Sequence, residues 1–332
     1  MRKAYIIAEI GNTHEGSVGL AKQFIKSAAD CGVDAVKFQT HIFEAESLPS
    51  APNPPYFKDE TRKEYFERTA FSIGEFKILK EFAEKECKVD FFSSPFSLEA
   101  VDFLEEVGVS TFKIPSGEVS NIPLLERINK TGKKVILSSG MSSWEELDRA
   151  VDVFKDRDKL TVLQCTSEYP CKPENSGLNI MQEIRNRYQC KVGFSDHTLG
   201  IGVPLTAVIL GADVIEKHFT LSKLMYGSDA KNSTEPEEFK NMVYNIRAGE
   251  LALYSKIDKN EITSKLGEMK YIFEKSIVSS RELKVGHVIT EEDLAFKKPG
   301  DGIPARAYKE IIGKTVKTTI PANEKIDYSQ IN

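Results

Sequence analysis

Short apolar runs alternate with helical patterns over the first 250 residues of the chain. Each run is mostly apolar, which is typical of a buried parallel strand. They lie at residues 4–10, 35–41, 89–95, 111–117, 134–140, 160–167, 191–197 and 213–220. Amphipathic helical patterns lie between them, for example at 19–32, 97–108 and 142–155. The pattern at 142–155 begins with a capping-box spacing, in which Ser142 or Ser143 is followed three residues later by Glu145 or Glu146.

Eight strand–helix repeats predict an α/β fold of the (β/α)8, or TIM, barrel type. A doubly wound open sheet is the competing architecture. That fold is expected to carry a phosphate-binding turn such as GxGxxG after its first strand. The first apolar run is followed by EIGNTHEG, which lacks this turn. The barrel is therefore the predicted fold of residues 1–254.

Polar residues mark the ends of all eight runs. They are Glu9; Lys37 and Gln39; Ser93 and Ser94; Lys113 and Ser116; Ser138 and Ser139; Thr166 and Ser167; Ser195 and His197; and Glu216 and His218. In a barrel the carboxyl ends of the strands converge on one face, where active sites lie. The pattern therefore predicts one polar pocket.

Two histidines, His197 and His218, end the last two strands. Adjacent strands lie about 5 Å apart, so both imidazoles can reach one point. Two imidazoles suit a divalent transition metal such as Mn, Fe or Zn, and Glu9 could complete the coordination directly or through water. A hydrolase triad is disfavoured, because Asp196 points away from Ser195 and His197 on the same strand and no GxSxG motif is present.

Positive charge and hydroxyls share the same predicted face. Lys37 and Lys113, with Ser116-Gly117 and Ser138-Ser139-Gly140, are typical of a cradle for a phosphate or a phosphate plus a carboxylate. The alternative, that either lysine pairs with a buried carboxylate such as Glu118 or Glu216, stays open.

Two segments depart from the repeat. An insertion at about 42–71 contains the Pro-rich, aromatic stretch SAPNPPYFKDE and is either a lid over the pocket or a surface excursion. After Tyr254 a polar linker, 255–275, leads to a small domain of short strands and turns, 276–332. A domain of about 57 residues is marginal for independent stability, so we expect it to dock on a barrel, its own or a partner's.

Composition excludes several classes of protein. The 332 residues carry a net charge of −5, which argues against a nucleic-acid partner. No apolar stretch approaches the ~18 residues of a membrane span, and the N-terminus is a poor signal peptide. The five cysteines are scattered without a CxxC pair, as expected for reduced thiols in the cytoplasm.

The ends of the strands, read in order, resemble the sialic acid synthase family. The matching stretches are AEIGNTHEG, VKFQTH, FFSSPF, FKIPSGE, ILSSGM, CTSEYP, GFSDHT and IEKHFT, and SIVSSRELKVGHVITEEDLAFKKPGDG resembles that family's antifreeze-like (SAF) domain. The resemblance implies a barrel plus a β-clip domain in a domain-swapped homodimer. It also implies a transferase that condenses phosphoenolpyruvate with N-acetylmannosamine or a related hexose, using Mn or Mg, to a nine-carbon 2-keto sugar acid and phosphate.

The resemblance also assigns roles to residues. His197 and His218 would bind the metal, and Glu118 and Glu9 would handle protons, with Glu118 favoured. The sugar would be contacted by Gln39, Tyr169 and Asp229. The phosphate and carboxylate of phosphoenolpyruvate would be held by Lys37, Ser94, Lys113, Ser116, Ser138, Ser167 and Ser195.

Two motifs depart from the family pattern, and both concern the sugar. The small-domain motif KRPG reads KKPG here, so Lys298 takes the place of an arginine, for which Arg306 is a candidate substitute. The segment after the eighth strand reads GSDAKNS instead of the GPDH pattern. The chemistry is therefore expected to be that of the family, with N-acetylmannosamine or another hexose. A legionaminate or pseudaminate synthase using a 2,4-diacetamido hexose is the main alternative. A phosphorylated hexose, a non-catalytic sugar-phosphate-binding barrel and a metal-dependent aldolase are the others.

Overall fold

The computed structural model describes residues 3–53, 59–227 and 229–332. Residues 54–58 of the Pro-rich stretch and Ser228 of GSDAKNS, on which two of the sequence predictions fall, lie outside the described residues. The chain divides into two compact units, Met1–Tyr254 and Ser255–Asn332. Each unit is described by itself below.

Eight parallel strands form a closed barrel in sequence order, which confirms the predicted (β/α)8 fold. The strands are β1 (Tyr5–Gly11), β2 (Ala35–Thr40), β3 (Asp90–Pro95), β4 (Thr111–Ile114), β5 (Lys134–Ser138), β6 (Leu160–Cys165), β7 (Lys191–Asp196) and β8 (Val214–His218). Ser116 and Gly117, predicted as a strand end, instead lie in a short 3-10 helix, Ser116–Glu118.

Ten helices of the first unit surround or follow these strands in the part of the chain that the structure describes. They are α1 (Val18–Asp30), α2 (Phe43–Glu46), α3 (Arg62–Thr69), α4 (Ile73–Glu81), α5 (Leu98–Val107), α6 (Ile122–Lys130), α7 (Trp144–Val153), α8 (Ile180–Tyr188), α9 (Gly202–Ile209) and α10 (Pro236–Tyr254). At α7 the capping box uses Ser143 and Glu146, because each side chain accepts from the other's backbone N–H.

The interior of the barrel is tightly packed. Strands β1 and β6 are buried along almost their whole length, as expected when both faces of a parallel sheet are covered. Gly193 of β7 shows how tight the packing is. A Cβ there would lie 2.4 Å from the Val214 carbonyl oxygen and 2.6 Å from the Leu163 side chain. Only glycine fits this point of the strand.

The ladder register brings the polar strand ends to one level. Glu9 of β1 pairs with Lys37 of β2 on one side and with His218 of β8 on the other. Ser195 of β7 pairs with Glu216 of β8. Side chains that are distant in sequence therefore meet at the carboxyl end of the barrel, as the pattern of polar strand ends predicts.

The insertion after β2 contains helices as well as loop. Helices α2 and α3 lie within residues 42–71, and a small apolar cluster of Phe43, Tyr65 and Phe66 packs them together. Thr61 and Glu64 form a capping box at the start of α3. The insertion is thus an ordered layer wherever the structure describes it.

The second unit has its own core around Ile277 and Ile311. The segment predicted as a linker contains two short helices, α11 (Lys259–Lys265) and α12 (Gly267–Phe273). The elements β9 (Ser276–Ser279), β10 (Leu294–Lys297) and α13 (Tyr308–Ile311) follow. Strands β9 and β10 form a two-stranded antiparallel sheet. Across the described ranges of both units, no helix is long and apolar enough to cross a membrane.

Candidate active site

A cavity of about 540 Å³ opens at the carboxyl end of the barrel strands. Its volume is typical of a pocket for small molecules, and all of its lining residues belong to the first unit. The predicted site residues that line it are Glu9, Lys37, Gln39, Lys113, Ser116, Glu118, Ser138, Ser167, Tyr169, Ser195, His197, His218 and Asp229. Nearly all of the predicted site residues therefore lie at one face of the barrel.

Lys37 lies at the base of this cavity and is paired with a carboxylate. Its Nζ lies 2.6 Å from Glu9 Oε2, and both side chains are almost completely buried. Nζ also donates to Ser94 Oγ at 3.2 Å. Ser94 is fully buried and lies beneath the cavity, where it positions the lysine. Burial opposes the charge of Lys37, but the carboxylates of Glu9 and Glu216 outweigh burial and raise its pKa.

Lys113, on β4, has an equivalent arrangement. Its Nζ donates to Ser138 Oγ at 2.8 Å and lies 3.4 Å from Glu216 Oε1. Ser195 donates to the same carboxylate oxygen at 3.3 Å. Burial lowers the pKa of Lys113, while Glu216 opposes the shift. Burial would raise the pKa of Glu216, but Lys113 and Lys37 lower it.

The alternative left open for the lysines therefore holds in part, because both of them face a carboxylate. The two lysines, Glu9 and Glu216 carry a combined formal charge of zero when ionised. They form a buried, balanced ring of charge at the cavity base, called here the inner ring. A multiply charged anion that enters this ring needs additional positive charge to be stabilised.

Hydroxyls and a backbone amide form one wall of the cavity next to Lys113. Ser116 Oγ accepts from the Gly140 N–H at 3.1 Å. A Cβ at Gly140 would lie 2.5 Å from Ser167 Oγ and 2.6 Å from Ser116 Oγ. This wall therefore depends on the absence of a side chain at residue 140, as the predicted anion cradle requires.

The two histidines face each other across the ends of β7 and β8, with ring centroids 5.6 Å apart. His197 Nδ1 lies 2.8 Å from the Thr166 carbonyl oxygen, to which it donates, so Nε2 is the nitrogen that could bind a metal. Burial and the neighbouring His218 lower the pKa of His197 to about 3, so the ring is neutral. His218 Nδ1 is buried and has no hydrogen-bond partner among the described residues.

These observations fit a divalent metal held by the two histidines. Neutral imidazoles are the form that binds metals, and a carbonyl that orients one ring is a usual supporting contact. The described residues contain no group of three or more His, Cys, Asp or Glu side chains arranged around a common point. Any metal here would therefore rely on two protein nitrogens, with its other positions open to substrate or water.

Asp196 lies outside this constellation. Its Oδ2 is 2.5 Å from Lys217 Nζ, and both side chains are buried. Lys217 also donates to the Thr198 carbonyl oxygen at 2.6 Å. This ion pair joins β7 to β8 on the side of the strands away from the cavity, which is the orientation that strand alternation predicts.

The predicted sugar contacts lie on the side of Glu9. Gln39 Nε2 donates to Glu9 Oε1 at 2.8 Å. Asp229 approaches the backbone of Gly11 so closely that a Cβ there would lie 2.5 Å from its Oδ2. Gly11 also has a φ of +58°, so glycine is favoured at this position for two reasons. Tyr169 covers His197, with ring centroids 4.1 Å apart.

Glu118, the favoured acid/base residue, is the last residue of the 3-10 helix that follows β4. Its carboxylate accepts from Asn121 Nδ2 at 2.8 Å. Burial raises the pKa of Glu118, and the nearby Glu46 raises it further, against the opposing effects of Asn121 and His41. A carboxyl with a raised pKa at the cavity wall is a suitable proton donor or acceptor near neutral pH.

The insertion after β2 contributes residues that the sequence prediction missed. His41, Glu46, Arg62 and Phe66 line the cavity. Arg62 donates from Nη2 to the Pro52 carbonyl oxygen at 3.1 Å, and its buried Nε has no hydrogen-bond partner within the described ranges. His41 could have been predicted, because it alternates with Lys37 and Gln39 in VKFQTH and so faces the same side of the strand. No comparable pattern pointed to Arg62.

The predicted sugar contact Lys298 lies in the second unit. Its Nζ lies over the Phe273 ring, 4.8 Å from the centroid. Arg306 lies in a short 3-10 turn, Ala305–Ala307, of the same unit.

Comparison with protein families finds two matches that divide the chain as its two units do. Residues 24–258 match the model of the NeuB family. Residues 274–332 match the model of the SAF domain. The first match contains the strands that carry the cavity from β2 onwards, and the second contains the two-stranded sheet.

Named relatives cover almost the whole chain. N,N'-diacetyllegionaminic acid synthase of Campylobacter jejuni is 40% identical, with 98% of this chain and 99% of that protein covered. The protein of the same name from Legionella pneumophila is 36% identical, with 98% and 94% covered. The crystal structure of N-acetylneuraminic acid (sialic acid) synthetase from Leptospira borgpetersenii with citrate has a TM-score of 0.69 and 33% identity. That match covers 79% of this chain and 90% of the other.

Proposed function

The chain belongs to the NeuB family and ends in a SAF domain, and from that premise we propose that it is a nonulosonate synthase. It condenses phosphoenolpyruvate with a 2,4-diacetamido hexose to a nine-carbon 2-keto sugar acid and phosphate. The relatives at 40% and 36% identity bear the name N,N'-diacetyllegionaminic acid synthase. They favour the diacetamido hexose over N-acetylmannosamine, which was the first expectation from sequence.

One observation carries the proposal: a single cavity joins two buried lysines and a hydroxyl wall to a pair of facing histidines. Lys37, Lys113, Ser138 and the Gly140 region supply the donors that phosphate and carboxylate oxygens require. The side of the cavity formed by Gln39, Tyr169 and Asp229 is left for the sugar. Both substrates therefore fit end to end in one site.

The reaction balances with the residues at hand. C3 of phosphoenolpyruvate bonds to the aldehyde carbon of the hexose, and the aldehyde oxygen takes a proton. Water adds at C2 and gives up one proton. The C2–O bond to phosphate then breaks while the new C2 hydroxyl becomes the keto group, and its proton goes to the departing phosphate. Glu118, with its raised pKa, exchanges one of these protons. Glu9, held by Lys37 and Gln39, offers its carboxylate as the second acceptor.

A divalent metal, Mn or Mg, is part of this proposal. His197 and His218 would hold it, near Glu9 and Asp229. When bound, such an ion polarises the aldehyde oxygen as a Lewis acid. It would also supply the positive charge that the balanced inner ring lacks for a multiply charged anion. His197→Ala should therefore abolish both Mn binding, measured by titration calorimetry without substrates, and turnover. Unchanged Mn binding by this variant would refute the assignment.

Phosphate release from phosphoenolpyruvate tests the function. The protein with Mn is assayed with N-acetylmannosamine, with 2,4-diacetamido hexoses, with a phosphorylated hexose and without sugar. We expect hexose-dependent release, with the largest kcat/KM on a diacetamido hexose. No release with any hexose would defeat the synthase assignment, whereas equal or better activity on N-acetylmannosamine would defeat the choice of hexose.

A domain-swapped homodimer completes the proposal, with Lys298 contacting the sugar bound by the partner's barrel. Light scattering should give twice the 37.2 kDa of one chain. Mixing inactive His197→Ala subunits with Lys298→Ala subunits should restore part of the activity, since some mixed dimers contain one intact combined site. A monomer in solution would contradict this arrangement.

A further inference from the structure

His41 is held in an aromatic sandwich at the edge of the cavity. Its ring stacks on Phe66 with centroids 3.8 Å apart and an angle of 6°. On the other side it stacks on Phe96 at 4.0 Å and 21°. The side chain is only 8% exposed. The ring plane is therefore fixed, and each ring nitrogen faces one defined neighbour.

Both neighbours present oxygen atoms to the ring. Nδ1 lies 2.9 Å and 3.1 Å from the two carboxylate oxygens of Glu46. Nε2 lies 3.1 Å from Gln39 Oε1. A carboxylate accepts hydrogen bonds and so does an amide oxygen, so each nitrogen needs a proton to form its contact.

The orientation of the Gln39 amide follows from its own partner. Gln39 Nε2 lies 2.8 Å from Glu9 Oε1, and Glu9 Oε2 lies 2.6 Å from Lys37 Nζ. Glu9 faces the Lys37 ammonium in this ion pair, and its carboxylate oxygens accept hydrogen bonds. Rotating the amide by 180° would set its oxygen against that carboxylate. The amide nitrogen must therefore face Glu9, and the amide oxygen must face His41.

From this chain of contacts we infer that His41 is a doubly protonated imidazolium that acts as a positioning residue, fixing the Gln39 amide for the hexose and for Glu9. In a neutral ring one nitrogen would carry a lone pair instead of a proton, and that lone pair would face an oxygen of Glu46 or of Gln39. The cation is stabilised by the Glu46 carboxylate and by the faces of Phe66 and Phe96.

The network links the insertion to the inner ring. It runs from Glu46 of α2 through His41, Gln39 and Glu9 to Lys37. Further charged groups act on both ends of the network: Glu118, whose pKa is affected by Glu46 and His41, at one end, and Glu216 and Asp229, which affect Lys37, at the other. The role in hexose binding rests on the proposed function; the charge state does not.

The charge state is tested by nitrogen NMR of the full-length protein labelled with ¹⁵N-histidine. The chain has five histidines, and His41→Phe identifies the His41 signals by their loss. We expect both His41 nitrogens of the wild type to give the protonated type of shift at pH 7.5. In Glu46→Gln the amide can donate to Nδ1, so Nδ1 should change to the unprotonated type. One unprotonated His41 nitrogen in the wild type would overturn the inference.

The positioning role is tested by comparing KM for the hexose with KM for phosphoenolpyruvate. His41→Phe keeps the ring stack but removes both donors, and we expect KM for the hexose to rise about 10- to 100-fold. KM for phosphoenolpyruvate should change less than about twofold, within the effect of a distant surface substitution. Glu46→Gln keeps the Nε2 donor and loses the charge, so its hexose effect should be smaller.

Glu44→Gln is the matched control. Glu44 lies in the same short helix and pairs with Lys63 on the surface, away from the network. It should keep the wild-type KM values. A hexose KM for His41→Phe within twofold of wild type, in a folded variant, would overturn the positioning role. Wild-type protein that is inactive on every hexose would instead defeat the proposed function and leave the NMR result standing.

Discussion

The inner ring and the insertion after β2 build the same cavity by different means. The inner ring, Glu9, Lys37, Lys113 and Glu216, projects from four barrel strands and is almost fully buried. The insertion brings Glu46 and Arg62, with His41 just before it, and their positions depend on helices α2 and α3 and on aromatic stacking. Ladder register fixes the first group, and side-chain packing fixes the second. We therefore expect substitutions in the ring to cost activity and stability together, and those in the insertion to alter sugar recognition.

The largest effect is expected at Lys113. Lys113→Met leaves Glu216 as an unpaired buried carboxylate, which costs about 3–5 kcal/mol of unfolding free energy. It also removes a donor for the bound anion, so kcat/KM should fall more than about 1000-fold. Urea unfolding and phosphate release measure the two effects.

The double variant Lys113→Met/Glu216→Gln separates stability from activity in the ring. It removes both charges, so most of the lost stability should return while the activity stays lost. Full activity in the double variant would show that the ion pair is only structural, and the contrast with the insertion would fail.

Gly140 tests the hydroxyl wall next to the ring. Gly140→Ala places a methyl group 2.5–2.6 Å from the hydroxyls of Ser167 and Ser116. We expect KM for phosphoenolpyruvate to rise about 100-fold, as for a misplaced binding group, with little change for the hexose. Gly117→Ala is the control, because its added Cβ meets Met141 only at an ordinary 3.7 Å. Equal effects of the two substitutions would contradict the proposed role of this wall.

His14 packs against the end of the insertion and makes the free energy of unfolding depend on pH. Its ring stacks on Phe71, at the end of the insertion, and its Nδ1 accepts from the Gly16 N–H. Burial lowers the pKa of His14 to about 3. The unfolded chain takes up this proton below about pH 6.5 and the native state does not, so stability is complete above that pH and falls as the pH decreases toward 3.

At pH 5 the buried neutral His14 lowers the free energy of unfolding by about 2 kcal/mol relative to its value above pH 6.5. Urea unfolding of wild type and His14→Gln between pH 5 and 8 measures it. The variant should lose less stability than the wild type on acidification. Parallel pH dependences would mean that His14 is not buried in its neutral form.

Arg62 gives the smallest expected effect and the most selective one. Its unpaired Nε and its place in the cavity wall suit a carbonyl or acetamido oxygen of the sugar. Arg62→Ala should raise KM for the hexose about three- to tenfold and leave KM for phosphoenolpyruvate unchanged. Lys63→Ala, one residue along on the surface, is the control. An equal effect on both substrates would place Arg62 outside sugar recognition.

Seven of the eight strands were predicted within about two residues of their observed ends, β4 ends three residues earlier than predicted, and the polar strand ends do meet in one cavity. The insertion was less predictable: its helices α2 and α3 follow no long apolar period, and the two helices of 255–275 were read as linker. The pairing of Lys113 with Glu216 was only one of two alternatives. No local sequence pattern shows whether a lysine is free to bind an anionic substrate or is already paired with a carboxylate of the protein.

The sequence by itself determined the barrel, the level of its polar ends and the two facing histidines. Strand period and parallel register are local or nearly local rules, so they can be read along the chain. Only the tertiary structure decided which charges pair, how Gly140 opens the hydroxyl wall, and that His41 lies between Phe66 and Phe96 with an acceptor at each nitrogen. Those features depend on atoms brought within about 3–4 Å from distant parts of the chain, a separation that no sequence spacing encodes.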